Sequence, residues 1–154
     1  MPDRIEKQIL LRAPRSRVWR AISDKNEFGT WFRVVFDDAG TFAAGERASG
    51  RITHPGYEHM RMHLELVDVE PEQRLSYRWH PYAIDPNVDY SQEPTTLVTF
   101  TLEDAPEGTL LRIVETGFDQ VPLERRDEAF RMNEGGWTAQ LKNIESHVTN
   151  NVTA

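Results

Sequence analysis

The chain of 154 residues contains no cysteine. Disulfides, thiolate nucleophiles and cysteine-ligated metals are thereby excluded, and a reducing compartment suits it. No apolar run approaches the ~18–20 residues of a membrane-spanning helix. The opening Met1-Pro2-Asp3-Arg4 is polar and lacks the apolar stretch of a secretory signal, so a cytoplasmic location is expected. Basic residues are in deficit: 18 Lys and Arg stand against 25 Asp and Glu, a net charge of −7. That balance argues against a nucleic-acid or membrane partner, which would need a basic stripe. Arg12, Arg15, Arg17 and Arg20 do cluster, but on a helix starting at Pro14 they spread round its polar side and read as a solvated face. Also missing are G-x-G-x-x-G, the phosphate-binding loop and G-x-S-x-G. No cofactor is implied, and Ser23, Ser49, Ser76 and Ser91 have no His-Asp arrangement around them.

What is present suffices for one domain over residues 1–154. Hydrophobic residues are 38% and charged residues 28%, usual for a globular chain, and a chain of this size buries roughly 70% of its unfolded surface. Ile5, Ile9 and Leu11 predict a strand from Arg4 to Arg12, closed by Ala13-Pro14. Val18, Trp19 and Ile22 give a short helical stripe, and Ser23-Asp24 caps a second helix from Lys25 to Thr30. Trp31-Phe32 with Val34–Phe36, then Phe42–Glu46 and Arg47–Thr53, read as strand segments, with Gly45 and Gly50 as bends. From His59 to Glu70 the apolar parity switches after Leu66, which a bulge would reconcile. Leu75, Tyr77 and Trp79 alternate with Arg74, Ser76 and Arg78. His80–Pro94 is a loop and a candidate lid or rim. Thr95–Leu102 and Thr109–Thr116 form a hairpin through Glu103–Gly108.

The last segment carries Phe130, Trp137, Leu141, Ile144 and Val148 on one helical face, with Gly135-Gly136 as a break before the tryptophan. A long amphipathic helix after a run of antiparallel strands must bury its stripe on their sheet. If that sheet is curved, a cavity can remain between the two.

Ala13-Pro14, then Val18-Trp19-Arg20-Ala21-Ile22 and Trp31, resemble the opening of the SRPBCC (START-like) superfamily. Within it, the chain is most similar to the family named after the activator of the heat-shock-protein-90 ATPase. Gly108-Thr109-Leu110-Leu111 with Glu115-Thr116-Gly117-Phe118 matches that family's last strand, and Gly136-Trp137 with Leu141 its final helix. Ala44-Gly45-Glu46 departs from the Gly-Gly pair frequent there before the third strand. The resemblance implies an α+β helix-grip fold: a curved antiparallel sheet wrapped round a long C-terminal helix, with two short helices after the first strand. It implies a single START-like domain.

Four histidines, His54, His59, His63 and His80, fall mid-chain. On one strand His59 and His63 would lie roughly 13 Å apart, too far to share a metal, so no metal site is expected. Glu115 shares its parity with Leu111 and Ile113, so it should face the apolar side. A carboxylate there needs a partner. It is either a polar anchor or general acid/base in the cavity, or half of an ion pair with Arg131 or Arg78. The aromatic residues are core material, some of which can line a pocket. The candidate ligand-binding set is Trp31, Met60, Met62, Tyr77, Trp79, Phe100, Glu115, Phe118, Phe130, Asn133 and Trp137.

Three functions compete. The leading one is binding of a small hydrophobic or aromatic molecule between sheet and helix. The second, from the family name, is a protein-interaction module regulating a chaperone ATPase. The third is a cyclase- or hydrolase-like enzyme of the same superfamily, for which no carboxylate pair with acid/base spacing is visible. Monomer and homodimer both remain open.

Overall fold

Alternation along the strands sets the architecture. In the computed structural model, which describes residues 4–150 apart from 84 and 86, β7 (Gly108–Thr116) buries Thr109, Leu111, Ile113 and Glu115 and leaves the residues between them partly exposed. The polar opening Met1–Asp3 lies outside the described residues. β6 (Thr96–Ala105) buries Thr96, Val98, Phe100 and Leu102 in the same way. Strands with one buried and one wet face belong in an antiparallel sheet covered on one side. The remaining strands are β1 (Arg4–Leu11), β2 (Val34–Phe36), β3 (Arg47–Ile52), β4 (Arg61–Glu70) and β5 (Arg74–Trp79). All seven form one curved antiparallel sheet in the order β1-β7-β6-β5-β4-β3-β2.

The cover is α3 (Leu123–Asn150), whose Phe130, Trp137, Leu141, Ile144 and Val148 are buried against the concave face. The expected break at Gly135-Gly136 is absent: α3 runs through both glycines. Two glycines cost a helix roughly 2 kcal/mol against alanine, and 28 residues with an apolar stripe tolerate that. Together sheet, long helix and the two short helices α1 (Arg15–Ser23) and α2 (Lys25–Phe32) make a helix-grip fold.

Three local expectations need correction. Trp31 and Phe32 end α2 and do not start a strand. The Asp24 carboxylate accepts from the Glu27 N–H at 2.9 Å, and Arg33, left-handed at φ 72°, closes the helix by donating to the Gly29 carbonyl. A Cβ at Gly29 would fall 2.1 Å from the Val34 carbonyl oxygen, so glycine lets α2 turn back directly onto β2. Residues 42–46 form no strand. Gly45 sits at φ 81°, its N–H donates to the Leu66 carbonyl, and the Leu66 N–H donates to the Glu46 carbonyl. These bonds brace β4 beside its register shift between Leu66 and Asp68, the bulge that the parity switch predicts. The β6–β7 hairpin is tighter than expected, because pairing continues to Ala105 and Gly108.

The arginine cluster is not wholly solvated. Arg17 is buried, and its Nη1 lies 2.6 Å from Glu27 Oε1. Arg20 Nε reaches Oε2 of the same carboxylate at 2.7 Å, and His147 Nε2 meets Oε1 at 2.9 Å. One carboxylate thus ties α1, α2 and α3 together. Burial pushes the Glu27 carboxyl up, but hydrogen bonds from His147 and Arg17 and the charges of Arg17 and Arg20 outweigh that and hold it below its ordinary 4.5. A depressed carboxyl stabilises the fold above its unfolded value, and this contribution is lost as pH falls through the folded one. The urea stability gap between the wild type and Glu27→Gln should therefore shrink as pH drops from 5 to below 4.5. A gap independent of pH in that window would show that these bonds do not favour the ionised form.

Candidate functional site

Glu115 is 0% exposed, on the concave face where its parity places it. Its Oε2 accepts from Trp79 Nε1 at 2.8 Å, Thr96 Oγ1 at 2.5 Å and Asn133 Nδ2 at 3.1 Å. Its Oε1 accepts from Trp137 Nε1 at 2.8 Å and again from Asn133 Nδ2 at 3.1 Å. Sheet register and helix period bring these donors together. Trp79 stands opposite Thr96 across β5 and β6, and Val98, two residues on, stands opposite Glu115. Asn133 and Trp137 are four apart on α3, hence on one face.

Every one of these donors is neutral. The ion pair with Arg131 or Arg78 does not form: both side chains are exposed, and Arg78 lies on the other face of β5. Among the described residues, Glu115 has no basic group within ion-pair distance. Indole and amide nitrogens cannot accept hydrogen bonds, so Glu115 accepts at both oxygens from Trp79, Trp137 and Asn133, while the Thr96 hydroxyl can donate or accept.

The tryptophans form the wall of a cavity of about 380 Å³ between α3, the C-terminal end of α2 and the ends of β3 and β5. Trp79 and Trp137 have ring centroids 5.8 Å apart, and Phe32 meets each edge-on at 6.1 Å. Both indole N–H groups turn to Glu115, so the rings offer only carbon to the cavity. Tyr57 and Tyr82 add rings at the rim. Tyr82 belongs to the loop after β5, which Arg125 holds against α3. Its guanidinium donates to Glu93 Oε1 at 2.9 Å and to the Pro81 carbonyl at 2.8 Å, and lies 4.8 Å above the Tyr90 ring.

Of the eleven residues singled out in the sequence, Trp79, Asn133 and Trp137 line this cavity. Glu115, Tyr77 and Phe100 form the layer behind. Tyr77 packs on Trp79 at 5.3 Å, and Phe100 on Trp137 at 5.8 Å. Tyr77 is wholly buried with an unpartnered hydroxyl, and burial, with the Glu115 charge adding, pushes its phenol well above 10.0. Trp31 is fixed by its N–H on the Ala21 carbonyl at 2.8 Å, under Phe28 and Phe32. Met60 and Met62 are buried at the β3–β4 side, and Phe118 and Phe130 meet edge-on at 5.1 Å beneath the start of α3. The wall also holds residues that sequence reasoning passed over. Gly136, Gln140 and Asn143 follow Asn133 at steps of three, four and three, a second helical stripe beside the apolar one. That spacing was readable. Tyr57 and Tyr82 sit in loops, where no period marks them.

The family described as "Activator of Hsp90 ATPase homolog 1-like protein" matches residues 12–149. The chain belongs to this family. No curated protein matches the chain. Among solved structures, a Mesorhizobium loti protein is similar at 24% identity and a TM-score of 0.74, covering 96% of this chain and 98% of that one. A solution structure from Arthrobacter aurescens reaches a TM-score of 0.76 at 18% identity, over 96% and 87% of the two chains. The Aha1 dimer of Colwellia psychrerythraea matches at 0.68 and 14%, over 94% and 95%. At these identities the likeness is one of fold. No helix among the described residues is long and apolar enough to cross a membrane.

The donor count on Glu115 is open to test. Thr96→Val keeps the shape of a fully buried side chain and suits a strand, but removes one donor. It should lower stability by about 1–3 kcal/mol in urea denaturation. Unchanged stability would mean that the carboxylate does not depend on this bond.

Proposed function

We propose that the protein binds a small, largely apolar aromatic molecule in the cavity between α3 and the sheet. The observation that carries this reading is the pair of indoles held by one buried carboxylate at the wall of a cavity of about 380 Å³, Trp79 half-buried and Trp137 reaching it by an edge at 2% exposure. Binding sites are typically pre-formed, mostly apolar and of this size. Plain core packing explains the arrangement less well. A buried charge contributes little to stability compared with apolar residues of similar volume, whereas it does fix ring orientation. Gly136 points the same way. A Cβ there would meet nothing within 4 Å, so alanine would fit and favour the helix by about 1 kcal/mol. Glycine keeps the wall clear.

In this reading Trp79, Trp137 and Asn133 contact the ligand, with Phe32, Tyr57 and Tyr82 completing the site. Glu115 positions the indoles. A protein partner, either a chaperone whose ATPase it regulates or a second copy of the chain, is the alternative that the family description and the Colwellia dimer support. A cytoplasmic location fits a cysteine-free chain of net charge −7.

The test fills the cavity. The wild type should enhance the fluorescence of 1-aminoanthracene, a neutral planar probe, in a saturable way. Gly136→Leu should weaken that binding at least about tenfold while its Tm stays equal or rises, because leucine favours a helix over glycine. Undiminished binding by Gly136→Leu, or no saturable binding by the wild type, would reject the cavity as the site.

A further inference from the structure

The indole and amide groups of α3 and β5 at the inner wall turn donors away from the cavity, whereas Arg33, His54, Tyr57 and Tyr82 line its rim. Trp79 and Trp137 commit their only N–H to Glu115. Asn133 turns Nδ2 to the same carboxylate, at 3.1 Å from both oxygens. A carboxylate only accepts, so the amide nitrogen must face it and the amide oxygen faces the other way, toward the cavity that Asn133 lines. Gln140 donates Nε2 to the Phe32 carbonyl at 3.2 Å, and its oxygen takes Nδ2 of Asn143 at 3.0 Å. Among the described residues no donor meets the Asn143 oxygen. The inner wall therefore presents ring carbon and amide oxygen, with both indole N–H groups and the Asn133 Nδ2 turned to Glu115.

Behind the wall stands a carboxyl group that, among the described residues, has no basic group within ion-pair distance. The partners of Glu115 are two indoles, a hydroxyl and an amide. In a medium of low dielectric its field reaches across a side chain. Arg33 and His54 also line the mouth, but both are exposed, where solvent and salt weaken their effect. The chain as a whole carries −7, which steers cations toward it.

Aromatic walls, oxygen acceptors and a buried carboxylate together select positive charge. We propose that the natural occupant is an organic cation, an ammonium group carried on an apolar or aromatic body, with its charged end against Trp79, Trp137 and Asn133. This deepens the binding reading above and rests on it. Attraction of a desolvated cation to indole rings, joined to the field of Glu115, should favour such a ligand over its uncharged isostere by about tenfold or more.

The experiment compares three small phenyl probes of similar size, by NMR titration of the full chain. They are (4-hydroxyphenyl)trimethylammonium, its neutral isostere 4-tert-butylphenol, and the anion 4-tert-butylbenzoate. The ammonium should bind at least about tenfold tighter than the phenol, with the benzoate weakest. In Glu115→Gln the ammonium-to-phenol ratio should fall toward one. If the phenol or the benzoate binds the wild type as tightly as the ammonium, the cation inference is wrong while the cavity remains a binding site. If none of the three shifts the cavity resonances, the binding reading itself fails and takes the inference with it. If the ratio is unchanged in Glu115→Gln, the carboxylate is not its source. Should that variant fail to fold, the wild-type ratio alone decides.

Discussion

A carboxylate sealed from water has to be surrounded by donors, and around Glu115 that demand reaches into four elements. β7 supplies the acid, β5 and β6 supply Trp79 and Thr96, and α3 supplies Asn133 and Trp137. A slip of one residue in any of the three strands would turn its contribution to the wet face. A quarter-turn of α3 would remove two donors at once. Burying the charge therefore selects one register of the strands and one rotation of the helix. The other carboxylate in helical packing, Glu27, is handled differently. It keeps some exposure and gathers Arg17, Arg20 and His147. Glu27 is a neutralised fastening between helices, whereas Glu115 is met by neutral groups, two of whose rings have a second use.

That second use is the wall of the cavity. An indole held only by packing can change rotamer to fill a void beside it. An indole whose N–H is bound to a buried anion would strand that anion by doing so, at about 1–3 kcal/mol or more. The cavity thus stays open next to two large aromatic side chains that could otherwise collapse into it. Phe100 and Tyr77 back these rings from the sheet, and Phe32, delivered by the left-handed turn at Arg33, closes the third side. The helix contributes Gly136 to the wall, where a Cβ would meet nothing within 4 Å. Rigidity in the wall and open space before it are the marks of a pre-organised site.

Much of this was legible in the sequence, for reasons of period. Alternation placed Glu115 with Leu111 and Ile113, Tyr77 with Trp79, and the bulge after Leu66. The helical repeat placed Trp137, Leu141, Ile144 and Val148. What failed did so where period is weak or competes. Trp31-Phe32 beside Val34-Val35-Phe36 reads as one apolar strand, because neither the Asp24 cap nor the left-handed Arg33 leaves a hydrophobic signal. The glycine pair suggested a break because propensity was weighed without the tertiary packing that overrides it. A carboxylate in an apolar setting suggests a cation, so Arg131 and Arg78 are the partners that the sequence offers Glu115. Nothing local reveals that two indoles from distant segments, 36 and 22 residues away, turn their N–H groups onto it. The loop residues Tyr57 and Tyr82 owe their place to tertiary contacts alone.

The claim on which the account stands is that Glu115 holds the Trp79 and Trp137 indoles. The direct measurement is hydrogen exchange at the indole N–H resonances of the four tryptophans. Trp31, whose N–H is bonded to the Ala21 carbonyl and not to Glu115, serves as the internal control. In the wild type, Trp79, Trp137 and Trp31 should exchange slowly. In Glu115→Asp, whose carboxylate is one methylene shorter, Trp79 and Trp137 should shift and exchange faster while Trp31 is unchanged. Wild-type Trp79 and Trp137 signals that exchange as freely as a solvent-exposed indole would contradict the account.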